Sequence, residues 1–143
     1  MKTLGLILRP LIVAPLLLAL SVAEPARAID VYPLAYHFGE TAVGSSSSTV
    51  ITIVNYTGHS HDITTIAFSP ESSPDFSLAT DLDLPMTLTS LDRLELEIVF
   101  TPSSPSLSVA ELMIHSVDSS LKIVTVLLQG GIGTAPPPGV CSP

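Results

Sequence analysis

Residues 93–100, Arg93-Leu94-Glu95-Leu96-Glu97-Ile98-Val99-Phe100, alternate with a period of two. Leu94, Leu96, Ile98 and Phe100 share one side of an extended backbone. Arg93, Glu95, Glu97 and, less cleanly, Val99 share the other. That period sets one row against a core and the other in water, whereas a helix would scatter both around its circumference. The stretch predicts a middle strand of an all-β domain, stopped by Thr101-Pro102.

The same reading along the chain gives further short strands and no helix. Residues 29–38 form a first strand broken by Pro33, which cannot donate to a ladder and so belongs at an edge or at a change of sheet. Residues 49–56 are rich in β-branched side chains and apolar on both faces. Residues 62–68 follow, then a short strand at 75–79 with Phe76 and Leu78 on one face, and a weaker one at 81–90 split by Pro85. Residues 107–116 alternate Ala110, Leu112 and Ile114 against Glu111, Met113 and His115. The last strand, 121–129, is nearly continuous apolar from Ile123 to Leu128, as expected when both faces are covered. Turn residues separate these runs: His37-Phe38-Gly39-Glu40, Val43-Gly44, Asn55-Tyr56-Thr57-Gly58, the Ser/Pro-rich 69–74, 103–106 and 117–120. About seven short strands with turns every 8–12 residues point to an antiparallel β-sandwich, with a small barrel as the runner-up.

The two ends of the chain differ from its body. Lys2 and Arg9 precede an apolar run from Leu11 to Ala23, and Ala26-Arg27-Ala28 fits a small-x-small cleavage site. Residues 1–28 therefore read as a secretory signal peptide, cut after Ala28. The run is shorter than the about 20 apolar residues of a membrane span and is interrupted by Pro15, and no later segment reaches that length. The sandwich occupies 29–133, and 134–143 is a Pro-rich tail without means of packing.

Charge narrows the partners. The formal net charge is -8, and beyond residue 28 the only cations are Arg93 and Lys122. Nucleic-acid affinity comes mainly from Lys and Arg contacts to phosphate, so nucleic acid is excluded as a partner. Anionic membrane surfaces are disfavoured on the same ground. The single cysteine, Cys141, permits no internal disulfide and no cysteine zinc cluster. With no Trp and 5% aromatics, aliphatic side chains must fill the core.

The ordered set of turn and strand-end pieces resembles the ASH/hydin-type immunoglobulin-like domains, including the secreted bacterial versions called choice-of-anchor D domains. The matching pieces are Phe38-Gly39, Val43-Gly44, Asn55-Tyr56-Thr57-Gly58, Asp75-Phe76-Ser77-Leu78, Ile98-Val99-Phe100-Thr101-Pro102, Ala110-Glu111-Leu112-Met113-Ile114-His115-Ser116 and Leu128-Gln129-Gly130-Gly131-Ile132-Gly133. They span roughly residues 31–133. The chain departs from the family at His37, where Asp is common, at Leu91-Asp92, where Pro-Gly is common, and at 103–106, where a Gly is common. The resemblance implies an immunoglobulin-like sandwich that acts as a structural or interaction module and not as an enzyme. Gly39, Gly44 and Gly58 suit positive φ, Asn55 suits a backbone-bonding role at a strand end, and Phe38, Phe76 and Phe100 are the bulky core fillers.

Candidate chemistry is sparse. His59-Ser60-His61-Asp62 places two histidines at i, i+2, which on a strand point the same way, beside a carboxylate; His37 joins them if the first strand folds alongside. Converging imidazoles bind zinc, copper or nickel, although three or four ligands are needed. No Gly-x-Ser-x-Gly, His-Glu-x-x-His or phosphate-cradling Gly-Lys sequence is present. Asp81/Asp83 and Glu95/Glu97 are same-face carboxylates that most simply solvate their strands. Asn55-Tyr56-Thr57 fits a glycosylation sequon, with a turn role as its plainer explanation. These features predict an exported, non-enzymatic module needing no cofactor, with exposed strand edges as its contact surface. A small extracytoplasmic metal-binding protein using His59, His61 and Asp62 is the alternative, and a hydrolase with an unrecognised site stands third.

Overall fold

The computed structural model describes residues 29–117 and 122–131. The expected leader (1–28), the turn residues 118–120, Ile132-Gly133 and the tail with Cys141 lie outside the described residues. The described chain forms nine strands: β1 Asp30–Tyr32, β2 Ala35–His37, β3 Ser47–Val54, β4 His61–Phe68, β5 Phe76–Leu78, β6 Met86–Leu88, β7 Arg93–Phe100, β8 Ser108–Val117 and β9 Lys122–Gly130. One sheet has the order β1-β3-β7-β5 and the other β2-β9-β8-β4-β6. The sandwich is thus all-β, and the alternating strand β7 sits between β3 and β5, as its charge pattern requires.

Pro33 divides the first predicted strand between the sheets. β1 pairs antiparallel with β3 through Asp30↔Val54 to Tyr32↔Thr52. After Leu34 the chain pairs parallel with β9, Ala35↔Leu127 to His37↔Gln129. Both pieces lie at sheet edges, so the edge and the sheet change both occur.

The inward rows make one core. Leu96, Ile98 and Phe100 of β7 meet Ile51 and Ile53 of β3 from one layer, and Ile63, Leu112, Ile114, Val126 and Leu128 from the other. Each of these is fully buried, and each such aliphatic side chain stabilises by about 1.5–3 kcal/mol relative to exposure. The aromatic filler is a cluster: Phe38, Phe76 and Phe100 have ring centroids 4.8–5.7 Å apart.

Three expectations need correction. The predicted strand 49–56 ends at Val54 because Asn55 leaves the ladder and bonds a turn of its own. The weak strand 81–90 shrinks to Met86–Leu88, since Pro85 removes a donor while Leu82 and Leu84 pack on the core from a loop. The last strand is not covered on both faces: Ile123 is 51% and Leu127 43% exposed, while Val126 and Leu128 are buried. Its apolar outer row faces outward with no element over it among the described residues.

Candidate functional site

Among the described residues four strands, β3, β4, β7 and β9, are only half covered at their outer edges, and the open halves of β9 beyond Lys122 and of β4 at Thr64–Phe68 carry no charge. β2 shields Leu127–Gln129, and among the described residues no strand pairs with the first half of β9 on that side. The hydrogen-bond parity follows from one bond: the Leu127 N–H donates to the Leu34 carbonyl at 2.9 Å, away from β8. In an antiparallel ladder such groups alternate. Ile123 and Thr125 therefore turn N–H and C=O to the open side, while Val124 and Val126 bond β8 across from Ile114 and Leu112. Ile123, Val124, Thr125 and Val126 are all β-branched, the composition most compatible with strand pairing. The open half of β7 instead carries Arg93 and Glu95, and that of β3 carries Ser47 and Ser48; charge and polarity discourage strand addition there.

A second constellation lies at the pole where β3 and β6 end and β4 and β7 begin. Asn55 is fully buried. Its Nδ2 donates to the His59 carbonyl at 2.6 Å and the Leu88 carbonyl at 2.9 Å. Its Oδ1 accepts from the Thr57 N–H at 3.0 Å and the Thr57 hydroxyl at 2.7 Å. Its backbone bonds the next turn, from N–H to the Asp92 carbonyl and from C=O to the Leu91 N–H. Gly58, at φ 78, lets the loop turn back. All four bonding positions of the Asn55 amide are filled inside the fold, so this sequon is consumed structurally.

The histidines follow from that knot. Thr57 Oγ1 has one proton and gives it to Asn55 Oδ1 at 2.7 Å, the shorter of its two acceptor contacts, the His59 carbonyl lying at 3.2 Å. It therefore accepts from His61 Nε2 at 2.8 Å, and Nε2 carries a hydrogen. β4 starts at His61, so His59 belongs to the loop and the i, i+2 relation on a strand does not arise. His59 is exposed, His61 is buried, and Asp62 turns outward to accept from the Thr87 hydroxyl at 2.7 Å. The structure does not bring the three together. His37 pairs with Gln129 at the far end of β9, some seven residues or about 23 Å from the Lys122 end, which is level with the start of β4 across the intervening β8. Among the described residues no group of three or more His, Cys, Asp or Glu side chains converges.

At the opposite pole Asp75 is buried, accepting from the Ser108 hydroxyl at 2.6 Å and the Ser103 N–H at 3.1 Å. These bonds, Ser108 foremost, hold its carboxyl below the usual carboxylate range against the opposing effect of burial. They tie the β4–β5 loop to the β7–β8 loop. Glu95 and Glu97 stand on the solvent face of β7, and the Arg93 Nε–Glu95 pair at 3.2 Å is exposed on both sides, so it adds little stability. Asp81 and Asp83 are exposed. Sequence reading singled out neither the Asp75 staple nor Leu91, whose φ is 70. The departure from Pro-Gly near Leu91 was the available signal for the latter.

No protein-family model and no curated protein matches the sequence. Solved structures match the fold. The ASH/PapD-like domain 7 of human CEP192 superposes with a TM-score of 0.61 at 11% identity, over 94% of this chain and 99% of that one. The CsuC–CsuE chaperone–tip adhesion subunit pre-assembly complex of Acinetobacter baumannii matches at 0.55 and 10%, over 75% of this chain and 58% of that one. The VesB protease of Vibrio cholerae matches at 0.57 and 18% over 73% of this chain, which spans only 32% of the protease. The fold is immunoglobulin-like, of the ASH/PapD-like kind.

Proposed function

We propose that this chain is an exported, non-enzymatic module that binds an extended segment of a protein partner along the open half of β9. The observation that carries the reading is the run Ile123–Val126: two residues, Ile123 and Thr125, present N–H and C=O to the unshielded side. A docked strand gains main-chain hydrogen bonds there, and its alternate side chains rest on the exposed row of Ile123 and Leu127. The likeness to a chaperone seen with an adhesin subunit supports a subunit-binding role. Export rests on the charged start, apolar run and Ala26-Arg27-Ala28 of the leader, which fits a secreted or periplasmic location for residues 29–143. The absence of nucleophile and phosphate motifs from the sequence supports a non-enzymatic role. The metal-binding alternative is not favoured, because His61 Nε2 holds a hydrogen toward Thr57 and Asp62 faces the other way.

Thr125→Pro tests the edge. The lost N–H faces away from β8, so the ladder stays intact while the docking donor disappears. The assay is co-purification with a candidate extracytoplasmic partner encoded beside this chain. Wild-type retention with loss in the folded variant is the expected result, and equal retention by both removes β9 as the contact.

A further inference from the structure

We infer that Tyr56 and Leu91 form a second docking surface, a preorganised knob at the Asn55 pole that fits an apolar pocket bordered by lysine and arginine on another protein. Leu91 is the third residue of the turn 89–92, closed by the Asp92 N–H to the Thr89 carbonyl at 3.0 Å. Its φ of 70 lies in the left-handed region where a bulky side chain is strained and glycine is at ease. Its side chain is 72% exposed, so little burial within this domain offsets the strain. A strained backbone presenting a large apolar group to water is a feature the fold itself does not require.

Tyr56, 59% exposed, stands on the adjoining loop. The Asn55 knot fixes the two loops together: the Leu91 N–H donates to the Asn55 carbonyl at 2.7 Å, and Asn55 N–H to the Asp92 carbonyl at 3.1 Å. The backbone that carries both side chains is therefore fixed before any partner arrives, which lowers the ordering cost of binding. Tyrosine is also among the residues that most often anchor interfaces.

Charge selects the occupant. Asp62 stands near the start of β4 and Asp92 follows Leu91, while Arg93 is engaged by Glu95. With a formal net charge of -8, a second copy brings acid to acid, and an anionic bilayer is repelled. A basic rim around an apolar pocket complements the knob.

The probe is an amphipathic helical peptide of about 14 leucine and lysine residues, with a leucine/glutamate peptide as control. A helix bonds its interior backbone groups to itself and cannot add to β9 as an extended strand, so this test is independent of the edge reading. In NMR titration of the full chain the basic peptide is expected to shift amides of 55–59 and 89–93, and the acidic one to shift none. Leu91→Gly, which relieves the strain, is expected to bind about tenfold more weakly while unfolding at the same or a higher temperature. Tyr56→Ser is expected to weaken binding similarly. Undiminished binding by both variants, equal binding of the acidic peptide, or shifts confined to β9 would overturn the proposal. Concentration-dependent self-association lost in Leu91→Gly would make a second copy the occupant and overturn it as well.

Discussion

The ring of Phe100 fills the volume that a side chain on Gly130 would occupy. β7 and β9 lie in different sheets, so this is a contact across the sandwich, and glycine is what lets the aromatic cluster of Phe38, Phe76 and Phe100 close. Gly130→Ala must push a fully buried ring off its rotamer, costing about 1–3 kcal/mol. Thermal unfolding is expected to fall by roughly 4–8 °C per kcal/mol lost. Pairing it with Phe100→Leu, which vacates the space, should restore part of the loss; additive losses would show that the two residues do not share that volume.

Asn55 makes the sharpest single-residue prediction. Asn55→Ala takes the side-chain donor from the Leu88 carbonyl, leaves the His59 carbonyl only the Thr57 hydroxyl at 3.2 Å, and removes the acceptor of the Thr57 N–H. About 3 kcal/mol or more should go with them. Asn55→Asp, though isosteric, sets a carboxylate oxygen against those carbonyls and is expected to be no better than alanine in chemical denaturation. Wild-type stability in the aspartate variant would mean the amide donor is dispensable.

How far the residues announced this arrangement depends on what each was doing. The rows of β7 and β8 were legible because inward and outward positions differ in polarity, as in Leu96 against Glu97. Pro33 was legible because its missing donor restricts where it can sit. β9 was misread: Ile123 and Leu127 are as apolar as Val126 and Leu128, so composition cannot tell a covered face from a bare one. The phase of the histidines was also hidden. It depends on β4 starting at His61, which the buried amide of Asn55, four residues or more away, imposes through the loop. Leu91 was invisible to polarity patterns, since a left-handed φ is a property of the turn and leucine gives no sign of it.

Asp75 links stability to pH. Its folded-state pKa is lowered, chiefly by the Ser108 hydroxyl. The stabilisation is therefore present above the unfolded carboxylate value of about 3.9 and is lost as pH falls through the folded value. Urea denaturation between about pH 5 and pH 2 should show a decline that Asp75→Asn flattens. Ser108→Ala removes a hydrogen bond to an ionised acceptor and should cost about 1.5–3 kcal/mol at neutral pH. An unchanged acid profile in Asp75→Asn would assign the decline to other carboxylates.

Zinc titration addresses the histidine cluster directly. Since His59 is exposed, His61 donates to Thr57 and Asp62 accepts from Thr87, calorimetry at micromolar zinc is expected to give no saturable heat. Protein NMR should find His61 as the Nε2–H tautomer. Stoichiometric binding abolished by His61→Gln would require the Thr57 contact to open and would restore the metal reading.

The alternation of β9 is open to measurement without any partner. Ile123 and Thr125 turn their amides to the unshielded side, whereas Val124 and Val126 donate into β8. Amide exchange in the native state should therefore be fast, slow, fast, slow along these four residues, the slow pair approaching the exchange rates of global opening. At Leu127 protection should return, because its N–H meets the Leu34 carbonyl. The contrast arises from the uncovered edge and not from a frayed strand end, since fraying would release Val124 together with its neighbours. Uniform protection across Ile123–Val126 would mean that something in the full chain already covers the edge, and the docking role of β9 would fall with it.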